Sequence, residues 1–202
     1  LCKHFQIKKI KVGHAGTLDP LASGLLIVCT GRLTKSIKEF QGQEKEYKGS
    51  LTLGSTTPSY DLETEINQTF PIKHITKEDI QETTKVFTGT LEQFPPVFSA
   101  LKKDGERLYE KARRGEAIQV DARQVHIYEF EITKIAFPNV DFRVVCSKGT
   151  YIRSLVNDFG KALNSGAHLN TLCRIRIGNF HLNQAIDIEI LKDYIETQNI
   201  AN

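Results

Sequence analysis

The chain has 202 residues, about one large domain or a domain with a small appendage, and at that size it buries roughly two-thirds of its unfolded surface without disulfide or metal staples. With 40% hydrophobic and 25% charged residues it is neither disordered nor low-complexity, and no uninterrupted apolar run of about 18 residues predicts a membrane span. The net charge of +3 excludes nothing by itself, but its uneven distribution carries information.

In chain order, the opening LCKHFQIKKIK has no signal-peptide apolar region, and a helix is expected to lead from Leu1 up to His14. Leu25–Thr30 is a continuous apolar run read as a buried strand. Arg32–Phe40 has helical spacing and stops near Gly42. Tyr47–Leu53 alternates Tyr47, Gly49, Leu51 and Leu53 against polar residues, the pattern of a half-buried strand. A polar loop, STTPSYDLETE, follows. Thr76 and Asp79 form a capping box that opens a helix to about Phe87. Phe94-Pro95-Pro96 forces an extended segment or loop, and Glu106–Arg114 is a short helix stopped by Gly115. Val125–Phe137 and Val140–Ser147 are two β-rich runs joined at Pro138-Asn139, a hairpin. Tyr151–Leu163 carries a helical apolar stripe at Ile152, Leu155, Val156, Phe159 and Leu163. Arg174–Phe180 alternates again, and Asp187 caps a last helix to about Thr197. Strands and helices alternate irregularly around a hairpin, so the fold class is α+β, in one domain spanning residues 1–202.

The four cysteines form no C-x-x-C pair and no Cys/His cluster, so no metal site is predicted and reduced thiols in the cytoplasm are expected. Basic residues gather at Lys8, Lys9 and Lys11, at Arg32, Lys35 and Lys38, around Lys102–Arg114, and at Lys148, Arg153, Arg174 and Arg176. Acids gather at Asp61, Glu63 and Glu65, at Glu78, Asp79 and Glu82, and in the last twenty residues. Separate basic clusters in a nearly balanced chain suggest a polyanion partner such as nucleic acid.

Two segments are dense in chemistry-bearing residues. KVGHAGTLDPLASG (Lys11–Gly24) packs three glycines and a proline into a tight loop but matches neither a P-loop nor a dinucleotide fingerprint. Asp19 there either closes a turn on its own backbone or serves as a nucleophile or base with His14 nearby. In Ser147–Arg153, at a strand–helix junction, Arg153 either decorates the helix start, pairs with a carboxylate, or grips phosphate.

With QEKEYKGSLTLG, FPPVFSALKKDGERLYEKARRG, CSKGTYIRSL and Leu172–Phe180, these segments resemble, in order, the TruB family of bacterial tRNA pseudouridine synthases, which modify uridine 55 of the T-loop. The resemblance runs from about Lys11 to Phe180. It implies a pseudouridine-synthase fold with a central mixed, mostly antiparallel sheet flanked by helices and loops. It makes Asp19 the catalytic aspartate, Tyr47 the tyrosine that packs on the target base and serves as a proton-abstracting base, and Arg153 the partner of Asp19. Tyr151 and Leu172 would line the uracil pocket, and His14 would help hold the RNA with the base turned out. Lys148 and Arg174 would join the basic clusters on tRNA phosphates. The reaction involves no redox change and no phosphate energy, so no cofactor and no metal is implied. The implied partner is the T-arm of tRNA, met by a monomer with no membrane contact.

Several positions depart from the family pattern. The chain lacks Met and begins after the family's opening strand and turn, so an N-terminal segment is expected to precede Leu1. Thr57-Pro58-Ser59 and Glu63-Thr64 replace Thr-Asp-Thr and Glu-Gly, which puts that loop's contacts in question. Cys173 stands where the family usually has Arg, and no RNA-binding domain of the PUA type is expected after Phe180. A non-catalytic tRNA-binding module would not require Asp19, Tyr47 and Arg153 together, and a guide-RNA-dependent relative would rely on a C-terminal extension that is not expected here.

Overall fold

The computed structural model describes residues 9–99, 101–103, 105–114, 116 and 120–197. The chain enters as β1 (Val12–His14), turns through the glycine-rich loop to β2 (Ser23–Gly24), and continues as β3 (Val28–Thr30), a 3-10 segment (Gly31–Ser36) and α1 (Ile37–Gly42). Next come β4 (Lys45–Leu53), β5 (Ser55–Thr56), β6 (Gln68–Thr69), α2 (Lys77–Val86) and β7 (Gly89–Gln93). A small pair, β8 (Lys102–Lys103) and β9 (Glu106–Arg107), leads into α3 (Leu108–Arg113). The hairpin β10 (Arg123–Ala136) and β11 (Asn139–Cys146), then α4 (Ile152–Ala162), β12 (Ala167–Ile177), β13 (Phe180–His181) and α5 (Ile188–Thr197) complete the order.

Seven strands share one sheet in the order β13-β12-β4-β11-β10-β7, with β2 beside β12. The β2–β12 contact is parallel and the other pairings are antiparallel, so the sheet is mixed and mostly antiparallel, as expected. β4 lies between β12 and β11, which is why its inward residues Leu51 and Leu53 are fully buried. A Cβ at Gly49 would come within 2.4 Å of the Thr171 carbonyl oxygen, so this close strand contact requires glycine.

The apolar stripe of α4 lies on this face, burying Ile152, Leu155, Val156 and Phe159. Each such side chain contributes roughly 1.5–3 kcal/mol by leaving water. The Phe159 ring meets Phe130 at 5.4 Å and Phe87 at 6.0 Å. α2 opens on the expected capping box: Asp79 N donates to Thr76 Oγ1 at 3.1 Å, and Thr76 N donates to Asp79 Oδ2 at 2.9 Å. It sends Ile80 into the same core. Asp187 caps α5 by accepting from Glu189 N at 2.9 Å.

Four expectations are corrected. The run Leu25–Thr30 is not one buried strand: only Val28–Thr30 pairs, with β1 alone, and Leu26 and Val28 are exposed. Its first half is spent elsewhere, because Leu25 N donates to Arg174 O and Ile27 O accepts from Ala15 N. The residues just before His14 are strand rather than helix, and residues 1–8 lie outside the described residues. The loop after β4 is not a solvated link. It contains β5, and its Thr57, Ser59 and Asp61 are buried because their polar groups bond one another and Arg153. Finally, β12 starts at Ala167, seven residues before the expected Arg174. Register shifts between Leu169 and Thr171 and between Arg174 and Arg176 break its alternation, so a period of two does not run along the strand.

Candidate active site

The loop carrying Asp19 is fastened to β12 at both ends. Leu25 N donates to the Arg174 carbonyl at 2.8 Å, while the Arg174 guanidinium donates from Nε to Leu25 O at 2.8 Å and from Nη2 to Gly16 O at 3.0 Å. Gly24 has φ +105, and a Cβ there would come within 2.3 Å of the Arg174 carbonyl oxygen, so no other residue admits this approach. Inside the loop Ala22 N donates to Asp19 O at 3.0 Å. The turn is thus closed by the main chain of Asp19, which leaves its carboxylate available.

Arg153, in the first turn of α4, takes that carboxylate. Its Nε donates to Asp19 Oδ2 at 2.9 Å and its Nη2 to Asp19 Oδ1 at 2.7 Å, a bidentate fork, while Nη1 donates to Ser59 O at 3.1 Å. A second carboxylate oxygen, Asp61 Oδ2, lies 3.6 Å from Nε. The side chains of Arg153 and Asp61 are 2% and 4% exposed, whereas that of Asp19 is 31% exposed. One guanidinium therefore joins a buried carboxylate behind it to a carboxylate facing open space. The loop bearing Asp61 is fixed by Glu63 N donating to Asp61 Oδ1 at 3.0 Å and by a Ser59–Thr64 hydroxyl pair at 2.8 Å. Ser59 and Thr64, among the residues that depart from the family pattern, thus bond each other.

The open space is a cavity of about 670 Å³. Asp19, Leu18, Ala22, Tyr47, Tyr151, Ile152 and Leu172 line it, together with Gln41, Lys45, Arg123 and Lys148. Burial pushes the Tyr47 phenol up to about 12, with the neighbouring Cys146 adding to the rise and the Arg174 cation opposing it. Burial likewise pushes the Cys146 thiol up to about 12. Lys45 donates to the carbonyls of Gln41 and Gln43, and burial, helped by the charge of Arg174, holds its ammonium below the usual lysine value.

Of the residues singled out in the sequence, Asp19, Tyr47, Arg153, Tyr151, Leu172, Lys148 and Arg174 converge here. His14 does not line the cavity: it is exposed on β1, opposite Val28. Arg174 is 2% exposed, and its guanidinium is committed to two loop carbonyls, so it faces the cavity without presenting a surface cation to phosphate. Its expected companion Arg176 is paired with Glu44 and Glu46, and Arg114 with Glu106 and Glu116. Lys148 is exposed at the cavity rim, while Lys8 and the side chains of Lys102, Lys103, Arg107 and Arg113 lie outside the described residues.

Three residues of the site escape sequence reasoning. Asp61 reads as part of a solvated acidic run, and Gln93 and Arg123 carry no local pattern. The one available signal was that Asp61 sits in a segment rich in small hydroxyl residues, which often bond their own backbone.

Two family sequence models cover the chain, the TruB family pseudouridylate synthase N-terminal domain over residues 3–152 and the tRNA pseudouridylate synthase B C-terminal domain over residues 153–201. The seam between them falls in the first turn of α4, so Asp19 and its arginine come from different matched segments. The chain is 61% identical over 189 residues to tRNA pseudouridine synthase B of Flavobacterium johnsoniae, covering 94% of this chain and 82% of that protein. It is 52% identical over 200 residues to the protein of that name from Phocaeicola vulgatus, covering 99% and 85%. Among solved structures, a chain of a Cbf5-Nop10-Gar1 complex matches with a TM-score of 0.71 and 30% identity over 96% of this chain. The chain spans 48% of the length of that neighbour. By both matched segments and by its relatives, the chain belongs to the TruB family of pseudouridylate synthases.

Proposed function

We propose that the chain converts uridine 55 in the T-loop of tRNA to pseudouridine, with Asp19 acting on the ribose and Arg153 holding it in place. Isomerisation of a tRNA uridine to pseudouridine is the activity of the family to which the chain belongs. The observation that carries the assignment of the site is the Asp19 carboxylate, gripped bidentately by a buried arginine and facing a cavity walled by Tyr47, Tyr151 and Leu172.

The chemistry asks for this combination. The C1′–N1 bond breaks, the uracil turns, and C5 bonds to C1′; the proton lost at C5 is balanced by one gained at N1. No group is transferred to or from the protein in the net reaction. The glycosidic carbon is inaccessible in a stacked loop, so the nucleotide must be flipped out, and aromatic and apolar walls hold a detached base by stacking. Two routes start from the same carboxylate: Asp19 adds to C1′, or it takes a ribose proton. Tyr47 enters as a neutral phenol, since burial raises its proton affinity. This favours it as a wall for the base over a role as the proton acceptor. Lys148 at the rim supplies a phosphate contact and with it part of the salt dependence. The sheet draws strands from both matched segments, which supports reading the chain as one catalytic unit, and we assign it to the cytoplasm as a monomer.

The test is pseudouridine mapping on unmodified tRNA. Wild type should give signal at position 55 and Asp19→Asn none, with tRNA binding retained. Undiminished product from Asp19→Asn overturns the role of Asp19, and signal outside the T-loop overturns the substrate position.

A further inference from the structure

We propose that Gln93 and Arg123, a cross-strand pair at the edge of the main sheet, are positioning residues that fix the Tyr151 ring and thereby preset the cavity for its base. The proposal rests on the reading of Tyr151 as a wall for the flipped uracil. Gln93 ends β7, Arg123 begins β10, and the two lie directly opposite each other. From this one pair, two grips reach Tyr151.

Gln93, 3% exposed, holds the peptide: its Oε1 accepts from Tyr151 N at 2.7 Å and its Nε2 donates to Tyr151 O at 3.0 Å. A primary amide is the neutral side chain that offers acceptor and donor in one fork, so a double grip of this kind selects Gln over an acid or an aliphatic residue. Arg123 holds the ring: its Cζ sits 4.7 Å from the Tyr151 centroid. Its Nη2 is buried and finds no hydrogen-bond partner among the described residues, which leaves the ring face as the contact described for this end of the guanidinium. α4 holds this residue by its carbonyl alone, Leu155 N donating to Tyr151 O at 3.1 Å, and leaves the ring unbonded. Tyr151 is its N-cap, with an extended backbone and no capping bond from its side chain. The next residue of the same edge adds one more tie, because Ser154 Oγ donates to Phe94 O at 2.7 Å.

A wall held in place before substrate arrives removes the ordering that binding would otherwise require. Loss of either grip should therefore weaken tRNA binding more than it slows the bound complex.

The chain has six tyrosines, so fluorotyrosine labelling gives a short ¹⁹F spectrum in which Tyr151 is assigned by its loss in Tyr151→Phe. Arg123→Ala and Gln93→Leu should each move or broaden the Tyr151 resonance while leaving that of Tyr47 in place. Each should raise KM for tRNA about fivefold or more, with a smaller change in kcat. Arg123→Lys, which keeps a cation, should restore part of both effects. An unmoved Tyr151 resonance in Arg123→Ala, an unchanged KM, or an Arg123→Lys indistinguishable from Arg123→Ala overturns the proposal. Should Gln93→Leu fail to fold, Arg123→Ala and Gln93→Glu, which keeps the acceptor and loses the donor, decide it. Failure of the functional reading shows separately, as wild-type protein that makes no pseudouridine; the spectroscopic arm needs no substrate.

Discussion

Replacing Arg153 with Lys keeps the charge and removes the fork. The guanidinium makes two charge-assisted bonds to Asp19 and one to the Ser59 carbonyl, with Asp61 at 3.6 Å behind it. An ammonium is a point charge and satisfies one carboxylate at a time. Losing one charge-assisted bond and stranding the Ser59 carbonyl together destabilises the fold by about 3–5 kcal/mol. In a chain of this size that lowers Tm by about 10 °C. The kinetic effect is larger, since a reactive group displaced by about 1 Å forfeits about a hundredfold in rate. Calorimetry gives Tm, and release of tritium from C5 of labelled uridine under single turnover gives the rate. A Lys variant within about threefold of the wild-type rate would show that guanidinium geometry is not what holds Asp19, and so refute the argument.

Four other outcomes follow from the same structure. Arg174→Met strands the Leu25 and Gly16 carbonyls, so stability in urea should fall by about 2–5 kcal/mol and the Ala22 and Leu25 amides should exchange faster. Because that guanidinium is buried, the slope of log KM against log salt should stay unchanged in Arg174→Met, while Lys148→Ala should lower it by about one unit. Asp61→Asn keeps the shape and removes the rear charge, and should lower the single-turnover rate by less than Arg153→Lys does. Alkaline pH should unfold the protein: Cys146 and Tyr47, ordinarily at 9.0 and 10.0, are both raised to about 12, so between these limits the unfolded chain binds fewer protons. Their stabilisation is complete below pH 9 and is lost towards pH 12 by about 1.4 kcal/mol per pH unit and group, and in a melting series Cys146→Ala should remove the part that begins near pH 9.

What the sequence made legible follows from the range of each signal. The capping box at Thr76, the hairpin around Pro138 and the stripe of α4 are local patterns, and each forms where the pattern lies. The start of β12 was hidden because its bulges destroy the period on which strand reading depends. Leu25–Thr30 misled because its apolar character is satisfied by Leu25 and Cys29 alone, the rest being exposed or half-buried. At the site, Asp19 and Arg153 were visible through their motifs. Asp61, Gln93 and Arg123 act through partners 28 to 92 positions away, and no local window reports a contact across that separation. Arg174 shows the converse failure: a basic residue in a basic run is expected in solvent, and only the fold reveals two carbonyls waiting for it.

The seam between the two matched segments, in the first turn of α4, gives the molecule a natural cut. Divided there, one fragment would keep Asp19, Tyr47 and the strands β4, β11, β10 and β7, while the other would carry Arg153, Leu172, β12 and β13. Neither fragment holds both halves of the carboxylate–guanidinium pair. Activity would return only when β12 adds along the open edge of β4 and closes on the loop at Gly24. Such a pair of fragments is a conditional enzyme, whose product would record, base by base in RNA, whenever two tethered proteins had met.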